Sequence, residues 1–120
     1  MASFKLLKIT VACTDIDAMA NFYSKVFNVK FDEHDLGFIM YSTKIGDISF
    51  LFCPNDVAGV VAEQNRHQFD YITDNIQEII DNALNAGGSI HSELLKTDKE
   101  STVTLFDPDG NTMNFIQRGK

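Results

Sequence analysis

The chain has 120 residues, the size of one compact domain, and a fold of this length hides about two thirds of the surface its unfolded chain exposes. Hydrophobic residues at 44% and charged residues at 22% match ordinary globular usage, which sets aside disordered, collagen-like and coiled-coil classes. Ten Lys plus Arg against seventeen Asp plus Glu leave a net charge of −7 with the acids scattered, so there is no basic stripe for a nucleic-acid backbone or an anionic membrane surface.

The opening stretch MASFKLLKITVAC is broken by Lys5 and Lys8 and has no long apolar core of a secretion signal. No apolar run approaches the roughly 20 residues of a membrane-spanning helix. A cytoplasmic protein is expected. Cys13 and Cys53 have no partner Cys or His at zinc-binding spacing, and in a reducing compartment both read as buried packing thiols rather than a disulfide.

Residues 5–13 alternate, with Ile9, Val11 and Cys13 on one side and Lys8, Thr10 and Ala12 on the other, the pattern of a half-buried strand. Asp15 is placed to cap a helix whose apolar stripe is Met19, Phe22, Tyr23, Val26 and Phe27, ending near Asn28. Strands are expected at about Val29–Glu33, Gly37–Thr43 and Asp47–Cys53, with turns at residues 34–37 and 44–47. Pro54 to Asn65 breaks the pattern as a linker, with one helical turn around Val57–Glu63.

The second half repeats the plan. Phe69 and Tyr71 alternate with Gln68 and Asp70; Asp74 and Gln77 then suggest a cap for a helix with the stripe Ile76, Ile79, Ile80, Ala83 and Leu84. Gly87-Gly88 stops it. Strands at about Ser89–Leu94, Ser101–Phe106 and Thr112–Gln117 follow, the last two joined by Asp107-Pro108-Asp109-Gly110, a type I turn with Pro at its second position. Sliding the halves by 60 residues sets Lys8 on Gln68, Asp15 on Asn75, Ile16 on Ile76 and Asn28 on Gly88, so the chain reads as an internal duplication of a β-α-β-β-β unit.

A strand ending in an acid, a helix carrying Asn21-Phe22-Tyr23-Ser24-Lys25-Val26-Phe27, and a late Asp107-Pro108-Asp109-Gly110-Asn111 before the last strand together resemble the vicinal oxygen chelate superfamily, from about Lys5 to Gln117. That group holds glyoxalases, extradiol dioxygenases, fosfomycin-modifying enzymes and bleomycin-binding proteins. The resemblance implies an α+β fold of two paired β-α-β-β-β modules (about residues 4–53 and 66–118). Their curved sheets enclose a cleft, with helices on the convex side. It also implies a homodimer with clefts assembled from modules of both chains.

In metal-dependent members, four strands each give one ligand to a divalent cation. Carried onto this sequence, those positions fall on Lys8, on Ser49 (Leu51 in the other register), on Gln68 with His67 as the neighbouring alternative, and on Asn114. A catalytic cation needs carboxylate, imidazole or thiolate donors in a fixed geometry, and an ammonium in the ring repels it. No metal or other cofactor is expected. Lys8, Thr10, Ser49, Gln68, Asp70 and Asn114 form instead the candidate ligand-binding set, hydrogen-bonding groups on inward strand positions, with Lys8 as a group for an anion and Asp70 as its counter-ion. His34, His67 and His91 share no metal-binding spacing, and Phe38, Tyr41, Phe50, Phe52, Phe106 and Phe115 are mostly core.

The expected function is binding of a small organic molecule in a metal-free cleft. One alternative is a glyoxalase-type lyase or isomerase, with an atypical metal set that includes His67 or with Lys8 as base or Schiff-base amine. Another is a non-catalytic interaction module.

Overall fold

The computed structural model describes residue 3 and residues 6–59 and 67–119. Two sheets of four strands make up its frame. In the first, β1 (Ile9–Cys13), β4 (Ile48–Pro54), β3 (Ile39–Ile45) and β2 (Asp32–Asp35) lie side by side in that order; in the second, the order is β5 (Phe69–Ile72), β8 (Thr112–Arg118), β7 (Glu100–Phe106) and β6 (Ser89–Lys96). The first and last strands of each module run parallel and the other pairs antiparallel. Such a parallel pair needs a crossover, which α1 (Ile16–Phe27) and α3 (Ile76–Asn85) provide. The same topology twice is the architectural trace of the repeat visible in the sequence.

Each sheet packs one face against helix. Val11, Cys13, Phe50 and Phe52 of the first sheet and Val103, Leu105, Met113 and Phe115 of the second join Met19, Phe22, Tyr23, Val26, Ile76, Ile80 and Ala83 in one continuous core. Because side chains alternate, the intervening residues of every strand turn to the opposite, open face. The two modules therefore share a core through their helices while their open sheet faces stay uncovered within the chain.

The Asp107 turn locks the modules together. Its carboxylate is 3% exposed and accepts the Tyr23 hydroxyl at 2.9 Å, the backbone N–H groups of Asp109 at 3.0 Å and Asn111 at 2.9 Å, and the Asn111 side-chain amide at 3.0 Å. Asp109 reaches back to the first module, accepting the Thr14 backbone N–H at 2.7 Å just before α1 begins. A hairpin turn of one half thus holds both a helix side chain and the helix entrance of the other.

Several local expectations shift. The second strand is not Val29–Glu33 but Asp32–Asp35, because Asn28 ends α1 in the left-handed region at φ 53° and the Val29 N–H still bonds back to Ser24. Phe31, inside the expected strand, packs against Phe52 and Tyr41 on the way to β2. The cap of α3 is Asn75, accepting the Glu78 N–H at 3.2 Å, rather than Asp74 paired with Gln77; Asn75 is the residue that the repeat aligns with Asp15. Leu84 is 46% exposed and lies off the buried stripe, and Phe38 sits half-exposed in the β2–β3 turn instead of in the core. A helical turn after β4 is α2 (Asn55–Ala58), which begins two residues before the expected Val57–Glu63; residues 60–65 of the expected linker, and with them the rest of that turn, lie outside the described residues.

Both thiols are buried, Cys13 at 1% and Cys53 at 5% exposure. Pairing of Ala12 with Cys53 and of Cys13 with Pro54 puts them on opposite faces of adjacent strands, so a disulfide between them is geometrically excluded. Burial, reinforced by the Asp109 charge, pushes the Cys13 thiol up to about 12, and burial raises Cys53 as well. At neutral pH neither is a thiolate, so the folded protein should resist iodoacetamide while the denatured chain takes up two labels; mass spectrometry of the two samples reads this, and rapid native labelling would contradict it.

Candidate functional site

The open face of the second module carries a continuous polar lattice. Asp70 of β5 stands opposite Asn114 of β8, and Thr104 of β7 stands opposite Asn114 on its other side. The Asn114 amide nitrogen donates to Asp70 at 2.8 Å and to Gln68 at 3.0 Å, while its oxygen accepts the Thr104 hydroxyl at 2.6 Å. Gln68 in turn donates to Thr112 at 2.7 Å. Five side chains, from β5, the residue just before it, β7 and β8, hold one another in place, so this face of hydrogen-bonding groups has a defined arrangement. Ile72 lies on the same face at 67% exposure and Phe106 borders it, with His91 against its ring at 5.0 Å.

The open face of the first module is different in character. Continuing the Ile9–Phe50 pairing back one residue sets Lys8 opposite Ser49, which is itself opposite Lys44. Lys8, Ser49 and Lys44 line a groove of about 510 Å³ with Lys30, Asp32 and Ser42. One level further along, Thr10, Leu51, Ser42 and Asp32 form the next row, and His34 Nε2 lies 2.7 Å from Ser42 Oγ.

The six sequence-derived residues thus divide. Gln68, Asp70 and Asn114 are joined directly through hydrogen bonds; Lys8, Thr10 and Ser49 occupy the first module's open face. No ion pair to a described residue engages Lys8, and Asp70 is bonded to Asn114 instead. Thr104 and Thr112 complete the lattice and were missed: their alternation with Val103 and Met113 was legible, but nothing marked two threonines as more than exposed strand residues. Gln68 bonds into the lattice through Asn114 and Thr112, whereas His67 lines a crevice with Val11, Tyr23, Phe50, Phe69 and Tyr71 that also reaches Thr112.

The residues do not suit the divalent cation that the resemblance brings into view. Equivalent registers pair Thr10 with Leu51 as Asp70 pairs with Asn114, so the position matching Asn114 in the first module is Leu51, which has no donor atom. Asn114 turns its amide N–H groups, not a lone pair, towards Gln68 and Asp70, and its oxygen is taken by Thr104. Lys8 contributes a cation. Among the described residues, no three His, Cys, Asp or Glu side chains come together in a metal-holding group.

Comparison with known proteins agrees with this architecture. A family model described as a glyoxalase-like domain matches residues 8–116. Among solved structures, a hypothetical protein, SA1046, from S. aureus superimposes with a TM-score of 0.76 at 18% identity, covering 97% of this chain and 95% of that one. A glyoxalase/bleomycin resistance protein/dioxygenase family enzyme from Burkholderia phytofirmans PsJN gives 0.74 at 18% identity, covering 95% and 98%. The fosfomycin resistance protein FosX from Mesorhizobium loti gives 0.73 at 13% identity, covering 100% and 94%. At such identities the likeness speaks for the fold. No curated protein matches the chain in sequence.

Proposed function

The chain belongs to the glyoxalase-like domain family of the vicinal oxygen chelate superfamily, and from that premise we propose that it binds a small organic molecule in a cleft without a metal ion. The observation that carries this reading is the lattice of Thr104, Asn114, Gln68, Asp70 and Thr112. At two of the positions where metal-dependent relatives place ligands, this chain has amides tied into a hydrogen-bonded network. A preformed polar wall beside exposed apolar side chains such as Ile72 suits an organic ligand with both hydrogen-bonding and apolar parts.

The cleft is closed, in this reading, by a second copy of the chain. The radius of gyration is 15.2 Å, against about 13.6 Å for a compact chain of this length. The chain exposes 8072 Å², where a monomer of its mass exposes about 6500 Å². Leu6, Leu7, Ile72 and Leu95 are each more than 60% exposed, a load of apolar surface that a dimer relieves. A lyase acting through Lys8 has less support, because Lys8 is exposed and a lysine used as base or Schiff-base nucleophile is one its protein desolvates.

The test is a thermal-stability screen against Ni²⁺, Zn²⁺, Mn²⁺, Fe²⁺ and Co²⁺ and a panel of small organic molecules, because a ligand specific for the folded state raises the melting temperature. The expected outcome is stabilisation by a member of the organic panel and by none of the cations, with Asn114→Ala abolishing the organic shift. Cation stabilisation of the native protein that is lost in Asn114→Ala would overturn the metal-free reading, as would the absence of any shift with the organic panel.

A further inference from the structure

The open face of the first module has a feature that the metal-free cleft does not require. On one row across the sheet stand Lys8, Ser49 and Lys44, and carrying the Asp32–Ser42 register two residues back sets Lys30 opposite Lys44 at the end of the same row. Neighbouring strands lie about 4.8 Å apart, so the row spans about 14 Å from Lys8 to Lys30. Its side chains line the groove of about 510 Å³.

This concentration runs against the composition. The chain carries ten Lys plus Arg and a net charge of −7, yet three lysines fall on one four-residue row. Among the described residues, the only carboxylate lining that groove is Asp32, one row away and two residues along from Lys30. Glu33, the neighbouring acid, points to the helix side, within 3.3 Å of the Tyr41 hydroxyl. No ion pair to a described residue neutralises Lys8, Lys30 or Lys44. Three like charges held together in a concave site against a single carboxylate one row away raise the local potential and draw in anions.

We propose that this lysine row is an anion subsite and that the cleft ligand is an organic polyanion, bearing a phosphate or more than one carboxylate. The inference rests on the cleft reading for the rest of the ligand, which the amide lattice of the second module would hold by neutral hydrogen bonds. The anionic part lies against Lys8, Lys44 and Lys30, with the Ser49 hydroxyl as an additional donor between Lys8 and Lys44. Placing the charge on the first module keeps it away from Asp70, the carboxylate within the lattice.

Isothermal titration at low ionic strength tests the subsite with citrate and pyrophosphate as separate probes and spermidine as the cationic control. At least one anion should bind, with spermidine silent, and the double variant Lys30→Gln/Lys44→Gln should weaken binding by about tenfold or more, the loss expected for charge-assisted contacts. Lys96→Gln/Lys99→Gln, on the β6–β7 hairpin, should bind as the native protein does. Citrate binding without pyrophosphate binding assigns carboxylates, and the reverse assigns phosphate. The proposal is overturned if neither anion binds, or if the two double variants lose affinity equally, which would mark only diffuse attraction. All substituted lysines are exposed, so unchanged melting temperatures exclude misfolding as the cause. The two readings fail separately: an organic ligand lost in Asn114→Ala but indifferent to Lys30 and Lys44 sinks the anion subsite alone, whereas lysine-dependent anion binding with no effect of Asn114→Ala sinks the shared cleft alone.

Discussion

Asp107→Ala should cost about 3–5 kcal/mol of folding stability, enough to remove a large share of the 5–15 kcal/mol typical of a domain. The carboxylate answers four donors at once in a nearly sealed site, and three of them, the Asn111 N–H, the Asn111 amide and the Tyr23 hydroxyl, belong to buried residues. An alanine takes the acceptor away from all of these donors at once. Tyr23→Phe provides the contrast: it removes one donor and leaves Asp107 its other partners, so its cost should be about 1 kcal/mol. Chemical denaturation of the three proteins measures both values, and an Asp107→Ala loss no greater than that of Tyr23→Phe would refute the account. The pH dependence carries its own sign. Burial raises the Asp107 pKa above 3.8, outweighing the hydrogen bonds from Asn111 and Tyr23, which lower it. The folded state therefore holds this proton to higher pH than the unfolded chain. Its contribution is complete below about 3.9 and falls as pH rises through the folded value. An asparagine side chain does not titrate, so the stability of the native protein relative to Asp107→Asn should decline with rising pH across that window and then level off.

The repeat was legible because two kinds of signal agreed within each half: a period of 2 in strands such as Ile9–Cys13 and of 3.6 in the helix containing Phe22, Tyr23 and Val26. Local capping chemistry was less decisive. Asp74 and Asn75 are both good cap residues, and only the alignment with Asp15 distinguishes them; the structure follows that alignment. Asp32–Asp35 has no apolar residue at all and is a strand solely because its backbone pairs with β3, a tertiary fact that no pattern of side chains encodes. The site was partly legible in the same way. Alternation placed Gln68, Asp70 and Asn114 on one face, since a period of 2 fixes the face of every residue once one is known. Which residues then join depends on register between strands far apart in sequence. That is why Thr104 and Thr112 escaped notice, and why Lys8, Lys44 and Lys30 fall on one row only once β1 is paired with β4, β4 with β3 and β3 with β2.

Gly88→Ala should destabilise by about 3 kcal/mol, whereas Gly87→Ala, its neighbour in the same helix stop, should cost only about 1 kcal/mol. From sequence the two glycines are indistinguishable. Gly87 has φ +96°, a conformation alanine tolerates poorly, but a methyl group there would meet nothing closer than Pro108 Cγ at 3.9 Å. At Gly88 the obstacle is space: a Cβ would come within 2.5 Å of Phe22 Cε1, 2.8 Å of the Phe106 carbonyl oxygen and 3.0 Å of the Ala83 carbonyl oxygen. Two of those three atoms are backbone and cannot rotate away. The third belongs to a ring that is 0% exposed, so relief there displaces α1 against the second module. Phe22→Leu introduced with Gly88→Ala should recover part of the loss, making the double variant less destabilised than the sum of the singles, with the remainder set by the two carbonyl oxygens. A Gly88→Ala protein as stable as the native one would show that the backbone yields. Because α1 and the Phe106 end of β7 belong to different modules, a shift that relieves this contact moves one module against the other. On the proposed reading, in which both open faces meet one ligand, a surviving Gly88→Ala protein should therefore bind that ligand more weakly as well as being less stable, without a single substitution on either open face.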